Sequence, residues 1–186
     1  VLIGEIMVKR DLVKQLSLVI LLILGLIGLR VWFFEPVTIT SQMANDYIKE
    51  GDFIVTVRNA KLTHGDFILY KHDGKEYVSR VIAVTDETVT YMDDVLYRDN
   101  VIVTESYLKA PHTQESYTED FTIATLTNGQ FESVPKDFIL VLNDNRTNHQ
   151  DSRSFGLIAE KDVIGRLTFR LSPLREFGFI KTGLVQ

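Results

Sequence analysis

GDFILYKHDGKEYVSRVIAV, residues Gly65 to Val84, is two β-prone runs joined by a turn signal. FILYK is rich in the β-branched and aromatic side chains that suit a pleated, buried surface, and so is YVSRVIAV. Between them His72-Asp73-Gly74-Lys75 reads as a hairpin turn, because Asp-Gly tolerates the positive φ that a tight connection requires. The same grammar recurs along the chain. FIVTVR runs from Phe53 to Arg58, TVTYM from Thr88 to Met92, and VLYRD follows a turn at Asp93-Asp94. FILVL spans Phe138 to Leu142, and VIGRLTFRL spans Val163 to Leu171. Short runs with period-two alternation and regular turns predict a mainly β, antiparallel domain.

Outward from this core the composition bounds the rest. The chain has 186 residues, 45% of them apolar and 24% charged, which suits one folded domain with a small appendage. A net charge of −5 argues against a nucleic-acid partner, which selects a basic face. There is no Cys, so disulfides, thiolate nucleophiles and Cys-based metal sites are excluded. Four scattered His show no ligand spacing. Neither a metal nor a cofactor is expected. Residues 105 to 133, rich in Thr, Ser and acids, read as a polar insertion outside the core.

The N-terminal end is different. Leu16 to Leu29 carries no charge, and Arg30-Val31-Trp32-Phe33-Phe34 follows. With Arg30 snorkelling to the interface, the run through Phe34 is long enough for a transmembrane helix, and its aromatic end suits a headgroup belt. Lys9, Arg10 and Lys14 precede it, so the positive-inside rule predicts a cytoplasmic N-terminus and an extracytoplasmic main domain. A cleaved signal peptide is the rival, but no small-x-small cleavage site ends the run. The predicted division is 1–35, cytoplasmic start and anchor, and 36–186, the β domain, with Pro36 at the change.

Several motifs together resemble the type I signal peptidases, membrane-bound serine proteases that remove signal peptides. The segment ending Lys49-Glu50-Gly51-Asp52 resembles their nucleophile box, Gly65-Asp66 their second Gly-Asp strand, and Tyr77-Val78-Ser79-Arg80-Val81-Ile82 the strand that carries a catalytic Lys. Asn143-Asp144-Asn145-Arg146 with Asp151-Ser152-Arg153-Ser154-Phe155-Gly156 resembles a further long family box. The resemblance implies a Ser nucleophile and a neutral, buried Lys base. Here Gln42 precedes Met43 where the family has Ser, and Ser79 occupies the Lys position. Gln offers no useful nucleophile and Ser no base. Counting back from Gly51-Asp52 puts Met43 at the Ser position instead, and only a slip the other way uses Ser41. Lys71 and Lys75 flank the predicted turn and read as solvated; His149, where the family usually has Ser, reads as a loop residue.

What the family box retains is a brace. Asp144, Arg146, Asp151 and Arg153 are expected to form charge-assisted hydrogen bonds that hold a cleft. The strands Val37–Ser41 and Glu76–Ser79 are expected to line it, with Ile39, Ser41, Tyr77 and Val78 as binding residues. The favoured reading is therefore a membrane-anchored pseudoenzyme that binds an extended segment of an exported protein. The resemblance extends to non-catalytic relatives of Gram-positive pilus clusters, which implies a pilin segment as partner and a sortase alongside. The alternatives are an active signal peptidase with an atypical dyad built on Ser41, and an anchored domain without a peptide ligand.

Overall fold

The computed structural model describes residues 2–108 and 118–184, with side chains from residue 12 onward. Helix α1 covers Leu2–Phe33. Its stretch Leu12–Phe33, 22 residues, is long and apolar enough to cross a membrane by length and composition. The chain divides into two units, 1–34 and 35–186.

The second unit is built from antiparallel strands. They are β1 (Phe34–Thr38), β2 (Phe53–Val57), β3 (Phe67–His72), β4 (Lys75–Ala83), β5 (Val89–Met92), β6 (Val95–Arg98), β7 (Val101–Val103), β8 (Phe121–Thr122), β9 (Phe138–Leu142), β10 (Ile158–Ala159), β11 (Val163–Ser172) and β12 (Gly178–Phe179). Two one-turn helices, α2 (Ile123–Leu126) and α3 (Ser152–Phe155), interrupt them. Strands of the larger sheet lie in the order β1-β2-β11-β3-β4-β9-β10, with β12 beside β11; the smaller sheet is β7-β6-β5-β8.

Local chemistry explains the turns. The β3–β4 hairpin closes at His72↔Lys75, and Asp73 and Gly74 both take positive φ, 48° and 77°. That is the two-residue geometry that follows strand twist. Asp93-Asp94 and Asp99-Asn100 repeat it between β5, β6 and β7. Pro36 is accommodated because β1 is an edge strand. Gly165 is required by close approach, since a Cβ there would come within 2.9 Å of the Val57 carbonyl oxygen on β2.

Alternation along β3 explains its unbroken apolar run. Phe67 and Leu69 join a cluster with Val37, Ile39, Ile48, Ile54, Val78 and Leu167 on one face. Ile68 and Tyr70 join Val81, Ile139, Val141 and Ile158 on the other. The middle of the sheet is thus covered on both sides. A third cluster lies against the smaller sheet and includes Ile82, Val89, Tyr91, Leu96, Leu140 and Leu142.

This third cluster corrects one expectation. The polar stretch at 105–133 does not stand outside the core: Tyr107, Phe121 and Ile123 are buried in it. Polar neighbours hide these single apolar residues in the sequence, and β8 and α2 are too short to show a period. Residues 109–117 of that stretch lie outside the described residues.

Candidate functional site

Strand β4 carries Ser79 and Arg80 to opposite environments. The Ser79 hydroxyl is buried; it donates to Asn143 Oδ1 at 2.8 Å and lies 3.1 Å from the Tyr70 hydroxyl. Burial holds the Tyr70 phenol above its ordinary range, so Tyr70 is a neutral partner. Asn143 is in turn fixed on all sides. Its backbone N–H donates to Asp151 at 2.8 Å, and its side-chain amide donates to the carbonyls of Asn148 and Gln150. Ser79 therefore ends a hydrogen-bond chain that runs through Asn143 to the Asp151 carboxylate.

Facing it is the turn after β1. Ile39 pairs with the Gly51-Asp52 segment through N–H to Asp52 carbonyl (2.9 Å) and Gly51 N–H to Ile39 carbonyl (2.8 Å). The loop between them turns at Thr40–Met43 (3.1 Å) and is tied by Asn45, whose side-chain oxygen accepts from the N–H groups of Tyr47 and Ile48. This brings Gln42 and Met43 to one small cavity with Val78, Ser79, Asn143 and Asn148. Its volume, about 10 Å³, is room for one water. The Asn148 side-chain amide donates to the Gln42 carbonyl at 3.2 Å and narrows it further. Ser41 is exposed and does not line this cavity.

The brace residues are all engaged, with partners that sequence reasoning missed. Asp144 pairs with Arg80 through two contacts of 2.6 Å; the Arg80 side chain is 0% exposed and also donates to the carbonyls of Gly65 (3.0 Å) and Thr182 (2.7 Å). Its guanidinium carbon lies 4.2 Å and 3.9 Å from the ring centres of Phe67 and Tyr107. Arg146 donates to Glu105 at 2.6 Å and to the Tyr91 hydroxyl at 3.2 Å. Burial opposes its charge, but the Tyr91 and Glu105 groups outweigh that and push its pKa upward. Asp151 caps α3 and accepts from Arg153, which also donates to the Arg146 and Asn148 carbonyls. Arg80 and Glu105 lie in different segments from their partners; a charge within the apolar run YVSRVIAV flags Arg80, whereas Glu105, between Thr104 and Ser106, carries no such signal.

The expected binding residues are dispersed. Ile39 is 1% exposed and sits in the core, not on a groove wall, because alternation from Thr38 turns it inward. Tyr77 packs on Tyr70 and Phe155, with ring centres 5.8 Å and 5.0 Å apart. Val78 lines the small cavity but is nearly buried. Lys71, Lys75 and His149 are all exposed to solvent. Among the described residues no cluster of His and acids could hold a metal ion.

The corner between the turn after β1 and strand β4 is lined by Gln42, Met43, Val78, Ser79, Asn143 and Asn148. A model of the signal peptidase family, peptidase S26, matches residues 10–172, and the chain belongs to that family. It is 36% identical over 153 residues to "Signal peptidase IB" of Staphylococcus aureus, covering 76% of this chain and 80% of that protein. It is 28% identical over 172 residues to "Inactive signal peptidase IA" of the same species, covering 90% and 96%. A crystal structure of a signal peptidase I from Enterococcus faecalis matches with a TM-score of 0.54 and 37% identity, covering 59% of this chain and 98% of that one.

One pH effect follows from the buried phenols. Burial pushes Tyr70, Tyr91 and Tyr107 above the ordinary value of 10.0. Unfolded tyrosines lose their protons near that value while these keep theirs, so the unfolded chain binds fewer protons above it. Stability is accordingly full below pH 10 and falls as pH rises beyond it. Alkaline titration followed by phenolate absorbance should show these three ionising only with loss of near-ultraviolet circular dichroism.

Proposed function

We propose that this chain is a membrane-anchored signal-peptidase-like pseudoenzyme that binds an extended segment of an exported protein without cutting it. The observation that carries the reading is the Ser79 corner: a buried hydroxyl bonded to Tyr70 and Asn143 stands in the family's Lys position, with Gln42 rather than Ser across the cavity. The charged brace around it is complete, so the scaffold is held while the chemistry is gone. The relative named "Inactive signal peptidase IA" supports the same reading. The main domain lies outside the membrane, its N-terminus inside, and the bound segment belongs to a surface protein or pilin whose assembly it assists.

Because β1 is the free edge of the larger sheet, the segment adds there by main-chain pairing. Ile39 pairs inward, so Thr38 presents its backbone outward as Pro36 does. Thr38→Pro removes that donor where an edge strand already tolerates proline. It should weaken binding of a pilin subunit at least about tenfold, while the melting temperature stays within about 2 °C. Unchanged binding by the Thr38→Pro chain, measured by titration calorimetry, would remove the edge as the site.

A further inference from the structure

The loop after β2, the end of β4 and the start of β11 enclose a cavity of about 530 Å³ that shares no residue with the Gln42–Ser79 corner. That size lies within the roughly 300–1,000 Å³ of small-ligand sites. Leu62, Val84 and Val163 form its apolar side, held in place by packing on the cluster of Ile68, Tyr70 and Val81. Its charged groups are Lys61, Glu160 and Arg166. Arg166 faces Asp66 at 3.6 Å, beyond hydrogen-bond reach. Asp66 instead accepts from the Thr63 N–H at 2.9 Å and the Thr63 hydroxyl at 3.0 Å. Among the described residues the Arg166 guanidinium donates no hydrogen bond, and neither Lys61 nor Glu160 has an ionic partner. The Asn59 amide and the Thr85 hydroxyl, also on the wall, are likewise without a hydrogen bond among the described residues.

We propose that this cavity binds a small zwitterion of the amino-acid kind, an aliphatic amino acid or a dipeptide. The ligand carboxylate meets Arg166 and Lys61, whose planar fork and ammonium both suit it. The ligand ammonium meets Glu160. The aliphatic side chain covers Leu62, Val84 and Val163, and Asn59 and Thr85 are left for a peptide unit. The lining disfavours simpler occupants. An inorganic anion would meet Glu160 with like charge and leave the apolar side uncovered. A wholly apolar molecule would cover the Arg166 donors and give them no acceptor. A chain passing through without a free end would bring no charge to Lys61 or Glu160. The charged groups stand on a fixed frame: Arg166 is paired with Val57 of β2 and with Ile68 of β3, and the Glu160 N–H donates to the Asp137 carbonyl at 2.9 Å. The proposal is independent of what the Gln42–Ser79 corner does.

The test titrates full-length chain in detergent, with its Leu and Val methyl groups isotope-labelled, against the dipeptide alanylleucine. The methyl resonances of Leu62, Val84 and Val163 should move together and saturate, while that of Val78 at the other corner stays in place. Acetylating the dipeptide amine, or amidating its carboxylate, should each weaken binding at least about tenfold. Glu160→Gln should erase the effect of acetylation, and Arg166→Gln that of amidation. Inorganic phosphate should leave the three resonances unmoved. Equal binding of the free, acetylated and amidated dipeptides would overturn the proposal, because the charges would then be idle. So would no movement of the three resonances, movement of Val78 alone, or movement by phosphate as large as by the dipeptide. Glu160 is exposed, so Glu160→Gln keeps the fold and the test stands if Arg166→Gln fails.

Discussion

Arg80→Ala should lower stability by about 3–5 kcal/mol, read as the drop in denaturant midpoint at unchanged slope. The size follows from the surroundings. Arg80 is fully enclosed and faces a carboxylate that is itself nearly enclosed, with side-chain exposures of 0% and 6%. Alanine would leave Asp144 a buried, unpaired charge and free the Gly65 and Thr182 carbonyls of their donor. It would also empty the space between Phe67 and Tyr107. Asp144→Ala should cost a similar amount, and the double variant less than the sum, because the second change removes the charge that the first strands. A loss below about 1 kcal/mol would mean that the pair is screened by water as on a surface.

Ser79→Lys, the residue type that the family resemblance implies there, should destabilise the protein at neutral pH. The side chain would enter a buried position whose neighbours are the Tyr70 hydroxyl and the Asn143 carbonyl oxygen. The nearby carboxylates are committed, Asp151 to Arg153 and Asp144 to Arg80. A buried ammonium without a counter-charge has its pKa depressed by about 3 units, which corresponds to about 4 kcal/mol. The sign is definite: the unfolded chain then binds more protons, so the penalty is full below the folded pKa and shrinks as pH rises towards the unfolded value. Unfolding midpoints for variant and parent should be widely separated at neutral pH and converge on alkaline titration. A constant gap across pH would show that the cost is steric, from overfilling the cavity of about 10 Å³.

The strands were legible because their signals are local. The β3–β4 hairpin is written in alternation and in Asp73-Gly74, and it forms with both turn residues at positive φ. The apolar run to Phe33 was legible for the same reason. Long-range partners were not. Asp144 and Arg80 are 64 residues apart, and Glu105 and Arg146 are 41 apart, so no spacing rule links them. Neighbours in one short box, Asp144 and Arg146 turn to different partners, a choice made by tertiary packing. Tyr107, Phe121 and Ile123 were missed because each is a single apolar residue that gains its meaning from a surface folded elsewhere. That Ile39 is buried was not legible, because the sequence does not say which side of an edge segment meets the core.

A fold that persists without proteolytic chemistry should leave a signal-peptide-containing precursor uncut. Full-length chain and its Ser41→Ala variant would be incubated in detergent with a signal-peptide-containing precursor, and the products read by mass spectrometry. With the Ser79 hydroxyl tied to Asn143 and Gln42 at the facing turn, neither protein should release a mature product. Cleavage by the parent chain that Ser41→Ala abolishes would contradict the account and place a working nucleophile one residue before Gln42.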